Sequence, residues 1–378
     1  MASASASTTT TPVLLRARNF QWYWNSAADP WSSTGEKWQK YSDVENEIIE
    51  DALNGKKKDV ELDGNYVVSL KHEVQYKKED MKRQRPIKRV QQPSDRSNVH
   101  LREERFALPI ALAKSTGVST TTSHSTDSEW DALGHLQKYG NLTGAYYELE
   151  IRDKNKSHTD VVEEAANGIL AEGAKIGKEK EAQWLAQRLL EAKHFSENKI
   201  IIHNTETGPK EIGETCIYLY TKESFWYKLL NSLLRNYQTI TREQVKTVGP
   251  FCWLLERYTV GNMNDVLTVY RGLTVTDEER KNFMKGRVKF TAFTSTSRDR
   301  RLAEIFGNTL LIFDLDAKYL WDDSRNIQCA MDVSAISDFP NEEEFTIIPG
   351  QCFDVVRHEF DDNTKKYIIY LKVTNYAV

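Results

Sequence analysis

The chain has 378 residues, a formal net charge of −4, 39% hydrophobic and 28% charged residues, and is rich in aromatics, with 9 Trp and 17 Tyr. That length favours two or three domains over a single core, and the composition is that of a folded chain rather than a disordered one. The charge excludes a globally basic nucleic-acid binder, no window holds the ~20 consecutive apolar residues of a membrane span, and the 4 cysteines form no Cys-x-x-Cys pair and no metal-ligand spacing.

Residues 1–11 lack the basic and apolar regions of a secretory signal and read as a tail. Aromatic residues crowd 20–41, helical spacing follows at 45–53, and strand-like pieces occupy 60–62, 66–70 and 73–76 before a basic run at 77–89. This is the pattern of a small α+β module over 12–90. Residues 91–129 have linker composition, with a Ser/Thr cluster at 115–126 and one apolar patch at 106–113. Helical spacing returns at 130–139, 161–174 and 178–195, giving a helical lobe over 130–200, and again at 224–237. Short β-rich runs then dominate, at 266–271, 288–293, 309–314, 344–348, 352–358 and 366–373. A compact, mainly antiparallel core is therefore expected over 215–378, and one domain over 130–378.

Three of these runs end in chemistry. The first ends in Arg271-Gly272, a guanidinium that can fork onto a pyrophosphate beside a backbone open to close approach. The second, 290–297, closes on Thr294-Ser295-Thr296-Ser297, hydroxyls able to orient a carboxylate or a ribose. The third is the turn Phe339-Pro340-Asn341 feeding Glu342-Glu343-Glu344, where strand alternation puts Glu342 and Glu344 on one face, about 7 Å apart along the chain. Each alone has a bland reading: a surface arginine at a turn, β-edge hydroxyls, a solvated acidic loop.

Together, and in this order, the Arg, the Ser-Thr-Ser and the Glu-x-Glu resemble the arginine-specific mono-ADP-ribosyltransferases, over roughly 215–378 and including the helix with Phe225-Trp226-Tyr227-Lys228-Leu229-Leu230-Asn231. The resemblance implies NAD as substrate and no metal. It implies that Arg271 contacts the NAD phosphate and the nicotinamide-side ribose, that Gly272 offers main-chain hydrogen bonds to the carboxamide, and that Ser295 positions the catalytic acid, with Thr296 and Ser297 supporting. Glu344 is then the catalytic acid, whose carboxylate on the ribose 2′-hydroxyl stabilises positive charge as nicotinamide leaves. Glu342 is the residue that holds and deprotonates the acceptor guanidinium, and Phe339 lies in the target-recognition turn. Phe306 falls where similar enzymes carry an aromatic near the nicotinamide, and Arg298, Arg300 and Arg301 could add phosphate contacts. A core Phe and a solvated basic loop are equal alternatives for these. Secreted animal members carry a signal and structural disulfides; this chain shows neither, so the resemblance points to the intracellular branch, nuclear or cytoplasmic.

In the front module, Phe20-Gln21-Trp22-Tyr23-Trp24, Trp38-Gln39-Lys40-Tyr41, Ile49-Glu50-Asp51-Ala52-Leu53, Tyr66-Val67-Val68, Glu73-Val74-Gln75-Tyr76 and Arg83-Gln84-Arg85-Pro86 resemble the WWE domain over about 20–89. Members that bind the iso-ADP-ribose unit of poly(ADP-ribose) use a polar set matched here by Tyr41, Tyr66, Gln75 and Arg85; other members bind protein. Trp22, Trp38 and Glu50 are expected to be structural. For the basic run a solvated edge, a nuclear-import signal and a nucleic-acid patch all remain open.

The two resemblances together imply an α+β chain: a WWE module, an antiparallel half-barrel sheet with one helix, followed by an ADP-ribosyltransferase fold of two packed, mainly antiparallel sheets with a helical lobe. The expected activity is transfer of ADP-ribose from NAD to protein arginines, with partners that are ADP-ribosylated or carry acceptor arginines. The alternatives are an NAD glycohydrolase using the same Glu344, and a non-catalytic ADP-ribose reader or scaffold.

Overall fold

The computed structural model describes residues 20–32, 34–92, 105, 131–196, 198–204, 207–259, 268–283, 286–315 and 329–374. The expected tail, most of the expected linker and the start of the 266–271 and 130–139 runs lie outside these residues.

Ser42 opens the first helix with a capping box: its hydroxyl accepts from Glu45 N, and the Glu45 side chain reaches back to the Ser42 backbone. The helix Asp43–Asn54 lies on a six-stranded antiparallel sheet made of β1 (Phe20–Asn25), β2 (Trp38–Lys40), β3 (Asp59–Leu62), β4 (Tyr66–Ser69), β5 (Val74–Lys77) and β6 (Asp80–Gln91), in the order β2-β1-β6-β5-β4-β3. Trp22, Tyr41, Ile49, Leu62, Val68 and Ile87 form its core. The basic run is mostly a strand: β6 pairs with β5 at one end and with β1 at the other, and so joins the two halves of the sheet. Its charged side chains stay largely exposed and Ile87 is its one buried residue, so only the middle of the strand reaches the core.

The helical lobe packs His158–Lys175 against Glu179–Glu191 and against Arg242–Thr259. Gly168 makes the second packing possible, because a Cβ there would lie 1.8 Å from the Thr247 carbonyl oxygen. Three helical stretches were not legible: Leu142–Tyr146 with its π-turn Tyr147–Ile151, Lys210–Thr221 and Arg242–Thr259. In Lys210–Thr221, Ile, Cys, Thr and Tyr side chains are buried almost all round, so no polar face marks the helical period.

The second sheet has eight strands, β7 (Thr268–Leu273), β8 (Arg287–Lys289), β9 (Thr294–Ser297), β10 (Thr309–Asp314), β11 (Ala330–Asp332), β12 (Glu344–Ile347), β13 (Cys352–Asp361) and β14 (Lys366–Val373), in the order β11-β12-β9-β7-β10-β14-β13-β8. All pairings are antiparallel except β10 with β14. A single residue pair, Tyr270 with Ser297, links β7 to β9, so the ladder divides there into two halves. Their apolar faces meet in one cluster that includes Val269, Leu311, Phe313, Phe345, Ile347, Phe353 and Leu371. The expected run 288–293 is not one strand. Pairing stops at Lys289 and resumes at Thr294; between them Phe290, Ala292 and Phe293 are buried in irregular backbone. Burial of their side chains mimicked the strand pattern.

The two units share a boundary. Asp63, between β3 and β4, accepts hydrogen bonds from the backbone N–H groups of Lys180 and Glu181 at 2.8 and 3.1 Å, and so caps the helix Glu179–Glu191 from outside. Asp51 accepts from Trp184 Nε1 at 2.8 Å, and Val44 belongs to the apolar cluster of the helical lobe. No helix among the described residues is long and apolar enough to cross a membrane.

Candidate active site

Three strands bring the expected residues to one place. On β7, Arg271 shares a face with the core residues Val269 and Leu273, so its side chain is carried into the protein and is only 3% exposed. Its Nη1 donates to the Ser295 carbonyl at 2.6 Å, tying β7 to β9 beyond their single paired position. Burial pushes the Arg271 pKa down to about 10. A buried cation of this kind favours an anionic ligand, which the NAD pyrophosphate is.

On β12, Phe345 and Ile347 go to the apolar cluster, and alternation leaves Glu344 and Thr346 on the other face. Thr346 Oγ1 donates to Glu344 Oε1 at 3.3 Å. The register then places Ser297 opposite Glu344 and Ser295 opposite Thr346. The hydroxyl that reaches Glu344 is thus Thr346, two residues along its own strand, which sequence reasoning missed. The buried Ser295 Oγ has no hydrogen-bond partner among the described residues. Thr296 Oγ1 donates to the Phe345 carbonyl at 2.7 Å and Ser297 Oγ to the Glu342 carbonyl at 2.8 Å, so these two hydroxyls hold the acidic turn in place.

The turn differs from the expected strand start. Pro340–Glu342 is a 3-10 turn, Glu343 has φ 45°, and the strand begins only at Glu344. Glu342 and Glu344 are both fully buried and Glu343 is exposed, as alternation required, but a left-handed residue between them produces the arrangement. Asp338, just before the turn, pairs with Lys222, which also meets Glu47 on the helix Asp43–Asn54 at 2.9 Å. A buried cation therefore connects the front module to the base of the acidic turn.

Gly272 packs with no space to spare: a Cβ would lie 1.9 Å from the Ala303 carbonyl oxygen and 2.6 Å from that of Phe306. Phe306 itself is 6% exposed. Arg300 pairs with Glu304 at 2.7 Å, Arg301 with Asp299 at 2.8 Å and Arg298 with Asp332 at 3.5 Å, which is the solvated-loop reading of that cluster.

The largest surprise is Arg105, the one described residue between 92 and 131. Its Nε donates to Glu344 Oε1 at 2.8 Å and its Nη1 to the Tyr220 carbonyl at 3.1 Å, while its own carbonyl accepts from Arg271 Nη1 at 3.4 Å. The guanidinium carbon lies 4.8 Å from the Tyr220 ring and 4.4 Å from the Tyr227 ring. Burial opposes its charge, but the Glu344 carboxylate and the two tyrosines outweigh that and raise its pKa. Tyr220 comes from the helix Lys210–Thr221, and Tyr227 from Phe225–Arg235, whose N-cap Ser224 accepts from Tyr227 N at 3.1 Å. Nothing in the composition around 105 marked it.

In the front module Tyr41 OH donates to Gln75 Oε1 at 2.8 Å, and Gln75 faces Arg85 across the β5–β6 ladder. Arg85 Nη1 donates to the carbonyls of Asn25 and Ala27 at 2.9 and 2.8 Å. Three of the four expected residues are thus joined; Tyr66, on β4, meets Lys77, 5.3 Å from its ring. Trp22 Nε1 donates to Glu50 Oε1 at 2.7 Å and Arg89 Nε to the same oxygen at 2.6 Å, the structural role expected of that Trp and Glu. Trp38 instead sits half-buried at the sheet edge, with Lys88 over its ring. Among the described residues no cluster of His, Cys, Asp or Glu could hold a metal.

Comparison with known proteins agrees with this division. A family model for the WWE domain matches residues 20–89. A second, described as NAD:arginine ADP-ribosyltransferase, matches residues 178–376, more than half of the chain. Solved structures similar to this chain include the ADP-ribosyltransferase HopU1 of Pseudomonas syringae pv. Tomato DC3000 (20% identity, 43% of this chain, 76% of that one, TM-score 0.35). Exoenzyme S from Pseudomonas aeruginosa, solved with human 14-3-3 protein beta and carba-NAD, is 18% identical over 56% of this chain and 88% of that one, with TM-score 0.35. The type III effector XopAI from Xanthomonas axonopodis pv. citri is 14% identical over 64% and 94%, with TM-score 0.38. No curated protein matches.

Proposed function

Since the chain belongs to the NAD:arginine ADP-ribosyltransferase family and carries a WWE domain ahead of its transferase domain, we propose that it moves ADP-ribose from NAD onto the guanidinium of protein arginines and that its WWE domain reads ADP-ribose units on its partners. The observation that carries the reading is the bond from Arg271 on β7 to the Ser295 carbonyl on β9, whose partner strand β12 opens on the buried Glu344, two residues after the buried Glu342.

In this reading Arg271 holds the pyrophosphate, and the Ser295 hydroxyl, without a partner among the described residues, takes a ribose hydroxyl. Gly272 lends its main chain to the carboxamide, with Phe306 nearby. Glu344, oriented by Thr346, accepts from the ribose 2′-hydroxyl and stabilises the positive charge that grows on the ribose as the bond to nicotinamide breaks. Glu342 takes a proton from the acceptor guanidinium, which otherwise stays charged and non-nucleophilic at neutral pH. In the WWE domain, Arg85 held between two carbonyls supports phosphate binding, and Tyr41, Tyr66 and Gln75 support stacking and hydrogen bonding to the iso-ADP-ribose unit. The 4 cysteines are free and buried, which suits a reducing, intracellular setting.

The test is transfer of labelled ADP-ribose from NAD to an arginine-rich acceptor, with free nicotinamide measured in parallel. Glu344→Gln is expected to lose both products. Glu342→Gln is expected to lose transfer and keep nicotinamide release. If wild type releases nicotinamide and never labels an acceptor arginine, the protein is a glycohydrolase instead.

A further inference from the structure

Arg105 meets two of the groups that the proposed reaction gives to NAD, Glu344 and Arg271. Its guanidinium is a planar cation set against two tyrosine rings, with one edge on the Glu344 carboxylate and another on the Tyr220 carbonyl. The nicotinamide end of NAD is also a planar cation, attached to a ribose whose hydroxyls donate to a carboxylate. Arg271, which in the proposed reaction holds the pyrophosphate, points at the Arg105 carbonyl oxygen. One residue thus fills the tyrosine box and the carboxylate with its side chain, and its carbonyl lies against the Nη1 that Arg271 also gives to Ser295. Glu344 is 0% and Arg105 3% exposed, so with Arg105 in place the Glu344 carboxylate is closed to a ligand.

We infer that Arg105 is a tethered competitor of NAD: it occupies the donor site in the resting protein and must leave before NAD binds. This rests on Glu344 and Arg271 forming that site. A group on the same chain competes at an effective concentration of the order of millimolar, so even weak contacts hold it in place. Such a competitor multiplies the affinity for NAD by the fraction of open molecules and leaves the chemistry of the bound state alone. Arg105 contacts Glu344 rather than Glu342, which is why it acts here as an occupant of the donor site and not as an acceptor.

The experiment uses the full chain and carba-NAD, an analogue whose binding is measured by calorimetry, together with the KM and kcat for nicotinamide release from NAD. Arg105→Ala is expected to bind carba-NAD at least about tenfold more tightly and to lower KM in step, with kcat within about threefold of wild type. Arg105→Gln, which keeps a hydrogen-bonding side chain but no charge, is expected to shift in the same direction, and serves if the alanine variant melts early. Methylguanidinium added to Arg105→Ala is expected to weaken carba-NAD binding again, and to do nothing to wild type. Equal or weaker carba-NAD binding in both variants, while wild type releases nicotinamide, overturns the competitor and leaves the transferase standing. No carba-NAD binding and no nicotinamide from any of the three proteins overturns both.

Discussion

The chain builds its two candidate sites in opposite ways. The polar set of the WWE domain rides largely on neighbouring antiparallel strands, with Gln75 and Arg85 paired directly across β5 and β6. The proposed transferase site draws on residues 220, 227, 271, 295, 342 and 344, which come from separate elements and are all buried, with Arg105 as its occupant. In the first, a side chain can be removed and the strand beneath it remains. In the second, Arg271, Thr296 and Ser297 are held by carbonyls of other elements, so loss of one disturbs the next. Local construction tolerates change, and long-range construction gives a dry site in which electrostatic interactions are strong.

Four substitutions probe that contrast, the largest effect first. Glu344→Gln removes the carboxylate that the proposed reaction sets on the ribose, and nicotinamide release is expected to fall about a thousandfold, a loss of the size seen when one transition-state partner is deleted. Glu342→Gln, one turn away, is expected to reduce arginine labelling about a hundredfold, the general-base share, with nicotinamide release changed by less than about threefold. Equal losses of both products in Glu342→Gln would remove the division of labour between the two glutamates.

Gly272→Ala tests how tightly the cleft is built. A methyl group 1.9 Å from the Ala303 carbonyl forces the helix Arg300–Glu304 away from β7. Thermal or urea unfolding is expected to show a loss of about 2 kcal/mol, in the range of core overpacking. A wild-type melting curve would mean that β7 has slack and that the cleft is less dependent on long-range packing than described. In the WWE domain, Arg85→Ala is expected to weaken binding of iso-ADP-ribose about tenfold, one charged hydrogen-bonding group's worth. Nicotinamide release should stay at the wild-type rate, because Arg85 meets the Asn25 and Ala27 carbonyls and the Trp24 ring, all within its own domain. A matching fall in nicotinamide release would join the two regions into one functional unit.

Legibility followed the same divide. Helices with one polar face were readable: the spacing at 45–53 and 161–174 became Asp43–Asn54 and His158–Lys175, a few residues longer at the capped ends. Lys210–Thr221, buried nearly all round, was not. The Phe290–Phe293 stretch looked like a strand because its side chains go inward, yet its backbone bonds Gln351 and Gly350 through a turn.

From sequence alone came the order of two modules, the α+β class and the candidate arginine, hydroxyls and glutamates, since these depend on residue type and spacing along short segments. Only the tertiary structure decided what those groups meet. A left-handed Glu343, and not strand alternation, sets Glu342 beside Glu344; Thr346 reaches the Glu344 carboxylate; Asp63 caps a helix of the other domain. Arg105 entered the cleft from a stretch with no marked pattern, because what places a guanidinium there is the carboxylate and the two tyrosine rings waiting at the other end of the contact, 115 to 239 residues away.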